Sequence, residues 1–401
     1  MPNIYRDKPY YPYNPIASLE SLSSALDVPI NTLKDLAKNQ SENYHEFMIS
    51  IEKKDGTSKE RFIKEPKFLL KKVQKRINSR ILSKVEYPSY LHGGIKDKKN
   101  PRDYYSNALS HVKSYVTISM DVRSFYPSIS KDEVIKIFRY FFNFSTDVSN
   151  LLSDIVTFDN KVPQGSPTSS YLANLIFFDN EYKLVDTFRK QGLIYTRLLD
   201  DITISSPKEL ESRKIEEIKR KIINMIKEKD LKLNKKKTTI VSKKNSHQLM
   251  YVTGLWVNHS SPKCDREERR NIRASVKKCE LEFLNSGAVT KEYHELWNKI
   301  SGKVAKLQRV GHVQALKLRE RLSNILPMIS DREVSVLIRE VEYIEKENKN
   351  KINRIGFLKR VNNAIYKVSL ISRRNKSLAK SLRDRLLVVK STNSYSDFWE
   401  K

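Results

Sequence analysis

The chain is poor in cysteine. Among its 401 residues only Cys264 and Cys279 occur, with no metal-ligand spacing around either. That excludes a disulfide framework and a zinc ribbon, and it fits a reducing cytosol. No apolar run is long enough to span a bilayer, and Met1 to Tyr13 holds tyrosines and prolines where a signal peptide needs an apolar core. A soluble, cytoplasmic protein without a membrane partner is expected. No internal repeat is present. Acidic residues are few beside the basic ones: 47 Asp and Glu against 76 Lys and Arg give a formal net charge of +29. An excess spread along the whole chain calls for a polyanionic partner, usually nucleic acid. A membrane surface or an acidic protein is the plainer alternative.

What is present is enough for a core. Apolar residues make up 39% of the chain, while 31% charged residues and a mean hydropathy of -0.59 leave a wide polar surface. Leu19, Leu22, Leu26, Ile30, Leu33 and Leu36 recur at helical spacing, so residues 16–40 read as an amphipathic helical cap. Glu46 to Ile51 and Arg61 to Lys64 are extended around the turn signal Lys53-Lys54-Asp55-Gly56, a hairpin with a basic tip. A helix follows Pro66, with Leu69, Val73, Ile77 and Leu82 on one face. Residues 93–106 read as a loop, Tyr115 to Asp121 as a buried strand and 131–156 as helical.

Farther on, Pro163-Gln164-Gly165-Ser166-Pro167 is a loop before an apolar helix, Ser169 to Phe178. Gly192 to Ser206 reads as a β-hairpin with Asp200 and Asp201 at its turn. Lys208 to Lys229 is a charged helix, Lys232 to Val241 a strand, and Tyr251 to Asn258 is β again. From Arg266 onward nearly all is helical. The tail from Lys349 carries 14 Lys and Arg against Asp384, Asp397 and Glu400. It keeps an apolar stripe through Ile352, Ile355, Leu358, Val361, Ile365 and Val368, which marks a folded basic helix.

Two aspartate signals combine. Asp121 ends one buried strand and Asp200-Asp201 sit in a second hairpin. Phosphoryl transfer gains most from two divalent ions about 4 Å apart that clamp the attacking and leaving oxygens. Hard oxygen ligands on rigid strand ends suit magnesium. An Asp-Asp pair alone is more often a solvated turn. Here Leu198, Leu199, Ile202 and Ile204 flank it, and paired bare charges among such residues are costly without a cation.

In order along the chain, Asp121-Val-Arg-Ser-Phe-Tyr126, Pro163-Gln164-Gly165, Tyr195-Thr-Arg-Leu-Leu-Asp200-Asp201 and Asn234-Lys-Lys-Lys237 resemble four successive motifs of reverse transcriptases. Asn107-Ala108-Leu-Ser-His111 is similar to the Asn-Ala-x-x-His element of bacterial retron enzymes, a defence-associated group. Val252-Thr253-Gly254 is similar to their Val-Thr-Gly triplet, and Lys53 to Gly56 with Arg61, Ile63, Pro66 and Gln74 resembles their finger hairpin and helix. The resemblance covers roughly residues 44–325. One departure stands out: Leu198-Leu199 replace the tyrosine and small residue that usually precede the paired aspartates.

The resemblance implies an α+β right-hand polymerase fold. Its parts are an N-terminal helical cap (1–43), fingers (44–114), an antiparallel palm (115–258), a helical thumb (259–330) and a basic helical extension (331–401). It implies two Mg2+ per active site, with Mn2+ as a substitute. Asp121, Asp200, Asp201 and the Val122 backbone are the expected metal ligands. Ser124, Phe125 and Tyr126 are expected at the nucleotide, Tyr126 as a gate against a 2′ hydroxyl. Gln164 and Gly165 are expected beneath the nucleotide and template, glycine permitting close backbone approach. Lys53, Lys54 and Arg61 are expected to grip the triphosphate, and Lys237 to act as general acid. Asn107, His111, Val252, Thr253, Gly254, Arg269, Arg270 and Arg273 are the expected RNA and DNA contacts. A solvated hairpin tip explains Lys53 equally well, a palm-core tyrosine is the plainer role for Tyr126, and solvated faces account for some thumb arginines individually.

The implied activity is RNA-directed DNA synthesis from deoxynucleoside triphosphates on a structured noncoding RNA, with an effector protein and antiphage defence as its setting. An oligomer is compatible with this. One alternative is a non-retron defence enzyme making simple-repeat or untemplated DNA, with a second polymerase subunit. Another is a catalytically inactive RNA-binding scaffold. Sequencing copurified nucleic acid separates the first, and retention of all three aspartates speaks against the second.

Overall fold

A computed structural model describes residues 7–52, 58–97, 99–244, 248–347, 354–390 and 398–399. The chain divides into two compact units, Met1–Pro262 and Lys263–Lys401. No helix among the described residues is long and apolar enough to cross a membrane.

The expected helical cap opens the first unit as two helices, α1 (Leu19–Leu26) and α2 (Ile30–Lys38). Asp27 caps α1 in the left-handed region (φ 52°), and Pro29, which has no N–H to donate, separates the two. The expected hairpin follows as β1 (Tyr44–Glu52) and β2 (Ser58–Pro66), then α3 (Phe68–Arg80), a short strand β3 (Leu91–His92) and α4 (Tyr104–Leu109). That last helix corrects the loop expected over 93–106. Asp103 caps it, accepting the Ser106 N–H at 2.8 Å, so a polar residue that resembled loop filler starts a helix.

After β4 (Val116–Asp121) and the single turn α5 (Phe125–Ser128), residues 131–156 are two helices, α6 (Lys131–Lys136) and α7 (Thr146–Val156). The stretch is helical as expected, divided by a π-helical turn at Ile137–Phe141, left-handed Asn143 (φ 60°) and the Ser145 cap. Next come α8 (Ser169–Leu175), α9 (Glu181–Lys190), the hairpin β5 (Ile194–Leu198) and β6 (Asp201–Ser206), and α10 (Ser212–Lys227). The strand expected over 232–241 is broken: Leu233 makes an isolated bridge to Val122, Lys235–Lys237 form a 3-10 turn, and β7 (Thr239–Ser242) pairs with β4. Tyr251 to Asn258 is a small hairpin, β8 (Tyr251–Val252) and β9 (Leu255–Trp256). Its two-residue turn, Thr253 (φ 47°) and Gly254 (φ 75°), has both central residues left-handed, as a tight hairpin requires.

The main sheet runs β3-β5-β6-β4-β7. It is antiparallel except at β3, which pairs parallel with β5. β4 is covered on both faces, so the polar Thr117 and Asp121 of its alternating sequence are buried along with Val116, Ile118 and Met120. Helices α3, α7, α8 and α9 contribute Ile77, Leu152, Leu172 and Phe188 to the core shared with the sheet. The second unit is helical: α11 (Arg266–Ser286), α12 (Lys291–Arg309), α13 (Ala315–Ser323), α14 (Asp331–Lys346), α15 (Ile355–Ile371) and α16 (Lys376–Val389). The tail stripe is a helix face as expected, with Val361 and Val368 buried in one core with residues of α14 and α16 and Leu358 also buried; Ile352 lies outside the described residues.

One buried ion pair ties the sheet to its helices. Arg197 on β5 and Glu181 on α9 are 0% and 2% exposed at their side chains. Arg197 Nε and Nη2 donate to the two Glu181 oxygens at 2.6 and 2.8 Å. Its other donors reach the carbonyls of Ala173, Asn174 and Leu199. Tyr195 adds a hydrogen bond to Glu181 at 2.6 Å. Removing one partner strands a buried charge, so Glu181→Ala should cost the first unit about 3–5 kcal/mol. Glu181→Gln, which keeps an acceptor without the charge, should cost less. Urea unfolding followed by tryptophan fluorescence and circular dichroism measures both, and a loss below about 1 kcal/mol for Glu181→Ala would refute the account.

Candidate active site

Strand register brings the three aspartates together. Asp121, the last residue of β4, lies opposite Asp201, the first of β6. Asp200 sits between them in the two-residue turn Leu199-Asp200, which is closed by the Leu198–Asp201 pair. The Val122 N–H donates to the Asp200 carbonyl at 3.0 Å, locking the turn to the end of β4. Leu199 is left-handed (φ 57°), a conformation costing a non-glycine residue about 1–2 kcal/mol. The hydrogen bond from Arg197 to its carbonyl offsets part of that.

Asp121 is 5% exposed and held from two sides. Asn234 donates from Nδ2 to Oδ1 at 2.9 Å, and Lys237 from Nζ to Oδ2 at 2.7 Å. The Asn234 N–H also meets the Asp121 carbonyl at 2.7 Å. Burial, reinforced by the Asp121 charge, raises the Asp200 pKa above the usual carboxylate range. Asp201 keeps an exposed edge, yet burial of its carboxyl followed by the charges of Asp200 and Asp121 pushes it up to about 7. The hydrogen bond to Asp121 raises the Lys237 pKa and keeps that ammonium charged. Among the described residues no group of three or more His, Cys, Asp or Glu side chains is arranged to hold a metal ion as it stands. The donor chemistry nonetheless fits hard divalent cations: three carboxylates destabilise one another's charges, and a cation is what relieves them.

Asp121, Asp200, Asn234 and Lys237 face a cleft of about 710 Å3. Arg61, Ser124, Tyr126, Gln164, Asp200 and Lys237 line it. Tyr126 is half-buried, its hydroxyl 3.3 Å from Ser170 Oγ. Phe125 is buried and stacked on Phe177, so its side chain belongs to the core and only its backbone is free for a ligand. The Pro-Gln-Gly loop is fastened to β2, with the Lys64 N–H donating to the Gln164 carbonyl at 2.8 Å. Gly165 has φ +124°, and an added Cβ would stand 2.9 Å from Ile63 Cγ2 and 3.0 Å from the Lys64 carbonyl. The close approach this glycine permits is thus to β2. Buried Gln74 bonds Tyr44, which meets Ser166 of the same loop. Lys53 and Lys54 lie outside the described residues.

A family model described as "Reverse transcriptase (RNA-dependent DNA polymerase)" matches residues 51–281. The chain belongs to the reverse transcriptase family. The retron Se72 reverse transcriptase of Salmonella heidelberg (strain 579083-10) is 42% identical over 384 residues, covering 96% of this chain and 99% of that protein. The retron Ec48 reverse transcriptase of Escherichia coli is 32% identical over 394 residues, 96% and 94% of the two chains. Identity of that extent sets the chain among the retron-type enzymes. Among solved structures, telomerase from Candida albicans in complex with a fragment of telomeric RNA matches at a TM-score of 0.41 and 11% identity, over 89% of this chain and 65% of that one. This reverse transcriptase is an RNA-directed DNA polymerase. Its mixed sheet and helices agree with the expected α+β class.

Two retron elements are internal joints in this enzyme, a correction to their expected role as nucleic-acid contacts. Asn107, His111 and Val252 are at most 1% exposed, so none of their side chains meets a ligand at the surface. His111 is hydrogen-bonded at 2.7 Å to both Ser205 on β6 and Thr196 on β5. Thr253 in the β8-β9 turn donates to the Tyr104 carbonyl at 2.7 Å, docking the Val-Thr-Gly turn on the helix that carries Asn107. Of this group only Thr253 and Gly254, on a turn, retain surface. In the second unit Arg270 and Arg273 are exposed, Arg273 reaching Gln314, while Arg269 is partly buried beside His312. The sequence reading missed Asn234 and Arg197 as site residues. The signals were there: Asn234 opens the lysine run, and Arg197 is a lone cation in an apolar strand.

Burial drives His111 down to about 3, with the neighbouring His92 adding to the effect, and burial followed by the Arg102 charge takes His92 to about 4. The unfolded chain takes up these protons near pH 6.5, but the folded chain does so only far below that. Stability is therefore full above about pH 6.5 and falls as the pH drops toward 4. His111→Gln should flatten that decline. Melting temperatures across the range measure it, and an unchanged slope would exclude His111 as its source.

Proposed function

We propose that this reverse transcriptase copies a structured noncoding RNA into DNA by two-metal nucleotidyl transfer, in the retron manner and in the service of antiphage defence. The observation that carries the chemistry is the register of β4 and β6, which gathers Asp121, Asp200 and Asp201 at one end of the sheet beside Tyr126 and Lys237. In this reading Asp121 and Asp200 hold two magnesium ions, with manganese as a substitute, and Asp201 and the Val122 backbone complete the set. Bound metal supplies activation of the primer hydroxyl and neutralisation of the triphosphate charge.

The chain's own groups do the rest. Lys237 leaves Asp121 and offers its proton to the departing pyrophosphate. Arg61 and the backbone of Ser124 and Phe125 seat the phosphates, and Gln164 with Gly165 supports the nucleotide from the loop fixed on β2. The Tyr126 ring stands under the sugar, its hydroxyl steadied by Ser170. The exposed basic surface of α11, Arg270 above all, grips a nucleic-acid backbone, so binding weakens steeply with salt. The noncoding RNA template and the defence role rest on similarity to retron enzymes, and an effector protein belongs to the same reading.

Incubation with the copurified RNA, magnesium and labelled deoxynucleotides should yield one defined DNA. Asp200→Asn should abolish it, and an unchanged product from that variant would falsify the assignment. A ladder of simple repeats instead would favour a non-retron defence polymerase. Tyr126→Ala should raise ribonucleotide incorporation relative to deoxynucleotide by roughly tenfold or more, about 1.4 kcal/mol of barrier difference. Unaltered discrimination would return Tyr126 to a packing role.

A further inference from the structure

Beside the catalytic cleft lies a second groove of about 1010 Å3, wholly within the first unit. The three-lysine turn divides the two: Lys237 lines the cleft, Lys235 and Lys236 the groove, and Asn234 and Arg123 line both. The groove walls include Ile223 and Ile226 of α10, with Leu231 and Leu233 of the segment that follows. Around them stand Arg123, Lys227, Lys232, Lys235 and Lys236, all exposed, and none has a carboxylate partner among the described residues. Asp230 is the only acidic residue in the lining, and the Lys136 ammonium also feels its charge.

Five unpaired cations against one carboxylate around aliphatic walls make a strong local field. Clefts of one charge sign with low-dielectric walls focus field lines and concentrate ions of the opposite sign. No aromatic ring lines the groove, so the base stacking on which single-strand grooves depend is missing. What the lining offers is charge for a compact polyanion. The adjoining cleft consumes a nucleoside triphosphate and releases pyrophosphate, so both its reactant and its product are of that class. Two hydrogen bonds couple the groove to the catalytic strand end: the Arg123 N–H to the Lys232 carbonyl at 2.8 Å, and Asn234 to the Asp121 carboxylate at 2.9 Å.

We propose that this groove is a polyphosphate-binding site that takes pyrophosphate, or the triphosphate of a deoxynucleotide, on its way between solvent and the catalytic cleft. The inference rests on the polymerase activity and is independent of the retron reading of template and biology.

The test compares full-length enzyme with Lys232→Glu/Lys236→Glu and with Lys376→Glu/Lys380→Glu, an equal charge change on α16. Circular dichroism confirms folding, and Lys232→Gln/Lys236→Gln serves should the reversal fail to fold. Inhibition by added inorganic pyrophosphate and KM for deoxynucleotide are measured in each. The groove variant should weaken one of them by roughly tenfold while the α16 variant does not. A weaker pyrophosphate inhibition with unchanged KM assigns the groove to product departure; a raised KM with unchanged kcat assigns it to substrate arrival. Calorimetry with pyrophosphate as sole titrant gives the same comparison without any polymerase product, so a failed polymerase assay and a failed groove are told apart. If neither quantity moves, or both variants move it equally, the groove is only a solvated basic surface and the proposal is overturned.

Discussion

Every donor of the Arg197 guanidinium is used inside the protein, two on Glu181 and one each on the carbonyls of Ala173, Asn174 and Leu199. A fully buried cation is tolerated only under such conditions, because desolvating it otherwise costs several kcal/mol. Burial alone would lower the Arg197 pKa, but the Glu181 carboxylate overrides that and raises it, so the charge persists. The consequence is geometric. Ala173 and Asn174 belong to the helix that follows the Pro-Gln-Gly loop, and Leu199 immediately precedes Asp200. One planar group therefore ties the helix after the Pro-Gln-Gly loop to the turn that presents an aspartate. Leu199 can occupy a left-handed conformation because its carbonyl is held this way.

That dependence explains which parts of the site were legible in the sequence. Asp121, Asp200 and Asp201 were readable because charged residues amid Ile202, Ile204 and Met120 conflict with apolar strands, and such conflicts mark function. The hairpin around them was equally plain from its alternation. Arg197 obeys no surface rule, yet one arginine in a strand is indistinguishable from an edge residue until α9 supplies Glu181 from outside the hairpin. Asn234 was hidden by neighbours: beside three lysines it resembled more basic surface, and only the fold shows its amide on Asp121.

Helix ends and breaks were the least legible parts of the fold, for a local reason. Periodicity reports which face is apolar, and α6 and α7 keep a common apolar face across the π-turn and Asn143. α1 and α2 do the same across Pro29. The caps that end these helices are single polar side chains, and Ser145 or Asp103 looks the same in a loop. The short elements Asn107-Ala-Leu-Ser-His111 and Val252-Thr253-Gly254 failed differently. Polar residues in a nucleic-acid enzyme read as contacts, but burial at 0% gives Asn107 and His111 to the interior. The His111 ring joins the end of α4 to β5 and β6, the Thr253 hydroxyl seats its turn on the Tyr104 carbonyl, and the buried Asn107 amide has no hydrogen-bond partner among the described residues.

Charge is distributed with the same economy of position. A chain of net charge +29 still concentrates negative charge at one sheet end, where Asp121, Asp200 and Asp201 raise one another's cost. The protein's own answer in this state is Lys237 on Asp121, an ammonium with three donors on a flexible stem. Such a group neutralises without coordinating, and it can leave when a doubly charged ion takes its place. Asn234 holds the same carboxylate without charge, so Asp121 keeps its orientation when Lys237 departs. A neutral clamp and a removable cation on one aspartate give the strand end a fixed geometry and an adjustable charge, and a site that must accept and release highly charged reactants needs both.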